Sequence, residues 1–326
     1  MSVTMDMLCL PLPTPYPVGP VNAYLLPGPP VTLVDCGPKT PEALTALEAG
    51  LAGAGFGLDR IERLVITHGH VDHFGLAATV VAASGARVMV HAADRPKLAG
   101  DRTFVGPMRE FIHASGFPSE VADMLVGVFR RYRDDLDHVE PTDLLSDGDR
   151  LPLGGSSLNV LHMPGHAEGH ICLWDGRTLI SGDVLLEEIS PNPIIEFAPD
   201  GRRQRTLPAL LGSLRRIEAL RPEVAYPGHG EPLAAPAPRA AALLRHHEER
   251  KERLALSLAD RAWTLRELVE SWFPGLDRFG LVLGMSEIIG HLDLLEAEGR
   301  LAVERRNGIV YYAIAGRAAG GSTAYC

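Results

Sequence analysis

The stretch Leu64 to His73, LVITHGHVDH, runs from an apolar segment directly into a cluster of metal-binding side chains. Leu64, Val65 and Ile66 read as a buried strand. His68, His70, Asp72 and His73 then fall in a tight loop at its end. A lone histidine is ordinarily a core or surface residue. Three imidazoles and a carboxylate in H-x-H-x-D-H spacing place several N and O donors within one loop, which reads as a metal site whose remaining ligands must lie elsewhere.

Three further strand-to-loop junctions supply them. PGH ends at His166, SGD at Asp183 and a second PGH at His229, each closing a β-like run. The candidates are therefore His68, His70, Asp72, His73, His166, Asp183 and His229. Imidazole and carboxylate without thiolate suit zinc, iron, manganese or cobalt. Seven candidates are too many for one tetrahedral ion, so two divalent ions with open positions for water are expected. Zinc is the leading expectation, with iron or manganese as alternatives. Two ions about 3.5–4 Å apart hold a hydroxide, polarise an electrophile and stabilise developing negative charge, so hydrolysis by a metal-bound hydroxide is the natural chemistry. Asp72 is the candidate catalytic residue, orienting that hydroxide as well as binding metal. Asp35, ending the strand LVDCG, is placed to hold the outer nitrogen of a ligand histidine. His170 divides between orienting a ligand and serving as a sheet-edge residue. His246 and His247, on a charged helix, read as solvated, and His91, His113, His138, His162 and His291 carry no functional reading.

The surrounding chain alternates β and α. NAYLL and VTLVDCG read as strands, PEALTALEAGLAGAG as a helix ending in glycines, FGLAATVVAASG as a helix and ARVMVHA as a strand. Short strands resume at SSLNVLHMPGH, HICLWDG and RTLISGDVL. LPALLGSLRRIEAL is an amphipathic helix, and EVAYPGHG closes the unit. The 326 residues, 46% apolar, fit one large domain plus a small one. We expect a catalytic domain over 1–240 with a helical insertion at about 102–140. A linker helix and a small module follow over 241–316, and a flexible tail over 317–326. The module reads as helix, helix and hairpin, with a capping box at Thr264 and Glu267 and a turn at Asn307-Gly308. That is the outline of a winged helix.

THGHVDH, PGHAEGH, SGDVL and YPGHG, in this order, resemble the metallo-beta-lactamase superfamily in its broad hydrolytic branch, over roughly residues 15 to 240. The resemblance implies an α/β fold, the four-layer αββα sandwich, with a dinuclear site at the sheet edge. By motif, His68, His70 and His166 match the ligands of a first metal and Asp72, His73 and His229 those of a second. Asp183 matches the bridging ligand. The terminal module is similar to the small winged-helix-like domain of a sub-branch that includes lactamase-like ribonucleases.

Composition narrows the partners. A net charge of −10 argues against nucleic acid or an anionic membrane as partner. No signal peptide or run of about 18 apolar residues is visible, and the four cysteines stand singly, so the expected compartment is the cytoplasm. The pocket is expected from 13–20, 102–139 and 185–201, with Glu187, Glu188 and Glu196 forming an acidic lip. Arg130, Arg131 and Arg133 read as a solvated face. The candidate recognition helix carries Glu287, Asp293, Glu296 and Glu298, which ill suits a DNA reader; its apolar residues would suit a homodimer. A small-molecule carboxylic ester or thioester, similar to the substrates of hydroxyacylglutathione hydrolases, is the expected substrate. A phosphodiesterase or endoribonuclease is the alternative.

Overall fold

The computed structural model describes residues 6–316 except Arg102 and Asp135, and omits the side chains of residues 128–135. The readings placed on Arg130, Arg131, Arg133 and the tail 317–326 lie outside the described residues. Six strands form a first sheet in sequence order: β1 (Leu8–Leu12), β2 (Val21–Leu26), β3 (Thr32–Val34), β4 (Arg63–Val65), β5 (Arg87–His91) and β6 (Asp143–Leu145). Pairing is antiparallel across β1, β2 and β3 and parallel from β3 to β6. Between these strands lie α1 (Pro41–Gly53), α2 (Val71–Phe74), α3 (Ala77–Ser84), α4 (Arg95–Leu98), α5 (Val105–Ala114) and α6 (Ser119–Asp134). The second sheet contains β7 (Arg150–Leu153), β8 (Ser156–His162), β9 (Ile171–Trp174), β10 (Thr178–Gly182) and β11 (Val224–Pro227), with α7 (Thr206–Leu220) between the last two. The chain closes with α8 (Pro236–Ser257), β12 (Trp263–Thr264), α9 (Leu265–Trp272), α10 (Arg278–Ala297) and the hairpin β13 (Leu301–Arg306) and β14 (Ile309–Ile314).

The layers follow from the period-two alternation of strand side chains. On β2, Val21, Ala23 and Leu25 face α1 and α3, while Tyr24 and Leu26 face the other sheet. On β4, Leu64 faces outward and Val65 inward. In the second sheet Ile171, Leu173 and Ile180 face inward, while Cys172 and Leu179 pack outward against α7 and α8. Both faces of each sheet are thus covered by apolar surface. That gives the αββα sandwich expected from the sequence. Strands β1, β6 and β7 are additions to the sequence reading; each is short, and β7 carries proline at an exposed position.

A fourth apolar cluster lies outside these layers. Met108, Ile112, Phe117, Leu125 and Val126 of the insertion pack with Leu254, Leu265, Leu268, Met285, Ile288, Ile289 and Tyr312 of the C-terminal segment. The insertion and the C-terminal helices therefore share one core. The capping box at Thr264 and Glu267 forms as expected, and β12 adds a third strand to the hairpin. Helix α10 begins at Arg278, a turn or two before the MSEIIGHLDLLEAEGR segment picked out by sequence, because Asp277 caps the Gly280 amide. Its acidic residues are spent on arginines: Asp293 is buried in a bidentate pair with Arg203 at 2.6 and 2.7 Å, and Glu296, at the surface, pairs with Arg205. Among the described residues, no helix is long and apolar enough to cross a membrane.

Candidate metal centre

Four strand ends meet at one edge of the sandwich. The Thr67 carbonyl, just after β4, accepts the Ile171 amide at 2.8 Å and so joins the first sheet to the start of β9. Beside it, β10 and β11 run parallel, with an irregularity that sets Gly182 opposite Pro227. Asp183 and His229 therefore leave the sheet together. His229 also forms a bridge with Val21 of the first sheet. The two PGH glycines are required by close approach. A Cβ on Gly228 would collide with Asp183 Oδ1, and one on Gly165 with the Leu210 backbone of α7.

All seven sequence candidates converge here. His68, His70 and His166 lie within reach of one ion; Asp72, His73 and His229 form a second such group, and His68, His73 and Asp183 a third. Asp183 Oδ2 stands between the first two groups, 3.6 Å from His166 Nε2, 3.4 Å from His73 Nε2 and 3.5 Å from His229 Nε2. Asp72 Oδ2 is 3.4 Å from His229 Nε2. His68 Nε2 approaches His70 Nδ1 at 2.9 Å.

Four of the candidate rings are held at their outer nitrogens. His73 Nδ1 meets Asp35 Oδ2 at 2.8 Å, and Asp35 also accepts the Thr67 amide at 2.8 Å and the Thr67 hydroxyl at 2.7 Å. Thr67 Oγ1 in turn faces His68 Nδ1 at 3.1 Å. His229 Nδ1 donates to the Pro20 carbonyl at 2.8 Å, and His166 Nδ1 to the Asn192 carbonyl at 3.0 Å. By contrast, His73 Nε2, His166 Nε2 and Asp183 Oδ1 are buried with no hydrogen-bond partner. Buried polar atoms are rarely left unpaired. An imidazole held at one nitrogen and bare at the other is how proteins present histidine to a metal. These residues fit a divalent cation or a pair of them.

Electrostatics point the same way. Burial works to lower the His73 pKa, but Asp183, Asp35 and Asp72 outweigh it and hold the ring well above the ordinary histidine range. Burial works to raise Asp183, yet His229 and His73 keep it well below the usual carboxylate range. Asp72 is likewise lowered, by His73 and His229 against its burial. His68 is pushed well below its ordinary value, first by burial and then by its histidine neighbours. The site thus gathers anionic carboxylates around rings that a cation can occupy in place of a proton.

Several residues support the cluster from behind, some with a weak sequence signal and some with none. His170 stands behind Asp183: its Nε2 accepts the Asp183 amide at 3.0 Å, and its ring stacks on His68. This orienting contact is the one of its two readings that the geometry favours. Asp94, fully buried, accepts the Gly69 amide at 2.6 Å on one oxygen and the Gly169 amide at 3.0 Å on the other. One carboxylate thereby staples the ligand loop of the first sheet to that of the second. Lys97 balances it at 2.7 Å and also pairs with Glu196, which accepts the Glu168 amide. Glu196 is therefore an inward strut and not part of an acidic lip, while Glu187 and Glu188 are exposed. Tyr24 spends its hydroxyl on the Pro227 carbonyl at 2.5 Å. His247, expected to be solvated, is buried between α8 and α10.

Comparison with known proteins gives the same picture. The sequence profile of the metallo-beta-lactamase superfamily matches residues 16–229. A probable metallo-hydrolase of Bacillus subtilis, YqjP, is 33% identical over 95% of this chain and 98% of its own length. A metallo-beta-lactamase family protein of Thermus thermophilus superposes with a TM-score of 0.82 at 32% identity, covering 94% of this chain and 98% of that one. A human acyl-coenzyme A thioesterase, MBLAC2, is 35% identical over 42% of this chain and 45% of its own. The chain belongs to the metallo-beta-lactamase superfamily.

Proposed function

We propose that this metal-dependent hydrolase of the metallo-beta-lactamase superfamily cleaves a small-molecule carboxylic ester or thioester at a site holding two divalent ions. One observation carries the reading: His73 Nε2 and His166 Nε2, buried with no hydrogen-bond partner, both lie within 3.6 Å of Asp183 Oδ2. In this reading His68, His70 and His166 hold one ion, Asp72, His73 and His229 the other, and Asp183 is shared. Zinc suits the donor set, as do iron and manganese. When bound, the ions supply Lewis acidity toward the acyl oxygen and lower the pKa of water near them.

The chain's own residues do the rest. Asp35, Thr67, Pro20 and Asn192 fix the ring orientations through the outer nitrogens. Asp72, kept anionic, holds the proton of the attacking water at its carboxylate. The water oxygen joins the acyl carbon as the acyl–sulfur or acyl–oxygen bond breaks. One water proton passes to the leaving thiol or alcohol, and the other is released as the acid product ionises to a carboxylate.

An acyl substrate is favoured over a phosphodiester on three grounds. The chain is acidic overall. The helix that a nucleic-acid reader would insert into a groove, α10, is buried along much of its length, including Met285, Ile288, Ile289, Leu292 and Leu295. The human relative that matches part of the chain is an acyl-coenzyme A thioesterase. In the same reading residues 1–240 form the catalytic unit, and 241–316 a linker helix and winged-helix-like module.

The test is metal content together with initial rates on an acyl thioester, a p-nitrophenyl ester, a lactone and bis-p-nitrophenyl phosphate. Thioester or ester turnover that disappears in His68→Ala supports the reading. A preference for the phosphate diester would replace it with the nuclease alternative.

A further inference from the structure

The segment Leu186–Ile195, between β10 and α7, has no regular secondary structure, so its backbone needs partners from outside. They come from helices. Arg239 of α8 donates to the Leu186 and Ile189 carbonyls, both at 2.9 Å. The Ile195 amide donates to Ser286 of α10 at 3.2 Å, and Thr206 of α7 donates to the Pro193 carbonyl at 2.9 Å. The Asn192 side chain donates to the Leu283 carbonyl of α10 at 3.1 Å. The Asn192 main-chain oxygen is the atom that receives the outer N–H of His166.

A histidine relay anchors the same strap. His291 Nδ1 lies 2.7 Å from the Glu287 carbonyl, which only accepts, so this nitrogen carries the proton and Nε2 is left as an acceptor. His247 Nδ1, 3.3 Å away, must then donate to it. That leaves His247 Nε2 as the acceptor for the Ser190 hydroxyl at 3.0 Å. One backbone carbonyl thus fixes the direction of every proton in the line from α10 through α8 to the strap. Both rings are buried.

We infer that α8 and α10 act on the metal centre: through Asn192 and the Ser190–His247–His291 relay they hold the strap in place, and the strap sets the orientation of His166. Asn192 and Ser190 are positioning residues, and the C-terminal helices complete the site. The inference rests on His166 being a metal ligand. The partner of a ligand histidine's outer nitrogen typically governs metal affinity by about 10- to 100-fold.

The test uses the full chain, stripped of metal and titrated with Co²⁺, followed by its d–d absorption, and with Zn²⁺ against a chelator. Asn192→Ala and Ser190→Ala should each weaken one metal equivalent by about 10-fold and shift its Co²⁺ band, leaving the other unchanged. Ser190→Thr, which keeps the hydroxyl, should restore it. Unfolding of the metal-free variants serves as the control. Wild-type metal affinity and spectrum in both alanine variants overturns the inference, whether or not their melting temperature falls. His166→Ala separates the two levels: if it binds metal like the wild type, the ligand assignment fails and the inference with it. If it loses one equivalent while the strap variants do not, only the positioning role fails.

Discussion

Two of the histidine clusters among the described residues behave oppositely. At the sheet edge, His68, His70, His73, His166 and His229 meet two carboxylates. In the C-terminal helices, His247 and His291 meet Glu287, and these three also fall within reach of a single ion. Residue type and burial do not distinguish them. The difference lies in the nitrogens. In the first cluster four rings are held from outside, while His73 Nε2 and His166 Nε2 are left without a hydrogen-bond partner beside Asp183. In the second, every ring nitrogen of His247 and His291 has a partner in a directional relay. Glu287 is moreover paired with Arg250 at 3.0 Å, so its charge is already answered by a cation. A metal centre is marked by unpaired donors converging on anionic charge, and a structural relay by donors that are already spent.

The largest effect should come from removing the anion shared by the first cluster. Asp183→Asn should strip metal and lower hydrolysis on the order of 10³-fold, since metal stabilisation of the reacting oxygen is worth several kcal/mol. Glu287→Gln should leave metal content unchanged. If elemental analysis showed metal lost from the Glu287 variant instead, the contrast between the clusters would collapse.

Asp94 comes next. Asp94→Ala leaves the Gly69 and Gly169 amides and part of the Lys97 charge uncompensated in a buried setting. It should cost about 3 kcal/mol in urea unfolding, the low end for breaking a buried ion pair from one side. A cost near zero would show that the two ligand loops hold together without it.

The relay supplies a pH dependence of its own. Burial, with a neighbouring histidine acting the same way, lowers His247 to about 3; burial lowers His291 to about 4 against a backbone hydrogen bond that raises it. An unfolded histidine titrates near 6.5, so between about pH 6.5 and 4 the unfolded chain binds more protons than the folded one. The contribution of these rings is therefore fully present above about pH 6.5 and is lost as pH falls toward 4. We expect a loss of several kcal/mol over that window, at about 1.4 kcal/mol per pH unit for each ring. The double variant His247→Gln/His291→Gln should show a shallower slope in denaturant unfolding at stepped pH. An unchanged slope would mean the relay rings titrate as if exposed.

The smallest effect sharpens the comparison from the other side. Thr264→Ala removes the capping box of α9 and should cost about 1 kcal/mol. Calorimetry should register the loss while metal affinity stays at the wild-type value. A drop in affinity would mean that any weakening of the C-terminal module reaches the centre, not only the strap contacts.

The candidate ligands are legible because each is a side chain whose type announces its chemistry, placed at a strand end where the chain pattern announces a loop. Asp35 is legible for the same reason. The partners of His166 and His229 are not, because the Asn192 and Pro20 carbonyls belong to the backbone and every residue has one. The stretches that contain them read as pocket walls, and that reading says nothing of the carbonyls they turn toward His166 and His229. Asp94 and Lys97 lack a signal of another kind. A lone acid and base three residues apart on a short helix look like surface charge, and only the meeting of two sheets makes them a buried staple. The acidic residues of α10 mislead similarly, since Asp293 and Glu296 answer arginines about ninety positions away.

The sequence by itself determined the alternation of β and α elements, the strand ends and the identity of the converging donors. Those follow from periodicity and residue chemistry, which are local properties of the chain. Tertiary structure decided which nitrogens face inward, which histidines are already spent, and that the C-terminal helices reach the centre through a strap. Such facts depend on where an unpaired atom points after distant segments have met, and no stretch of sequence carries that information alone.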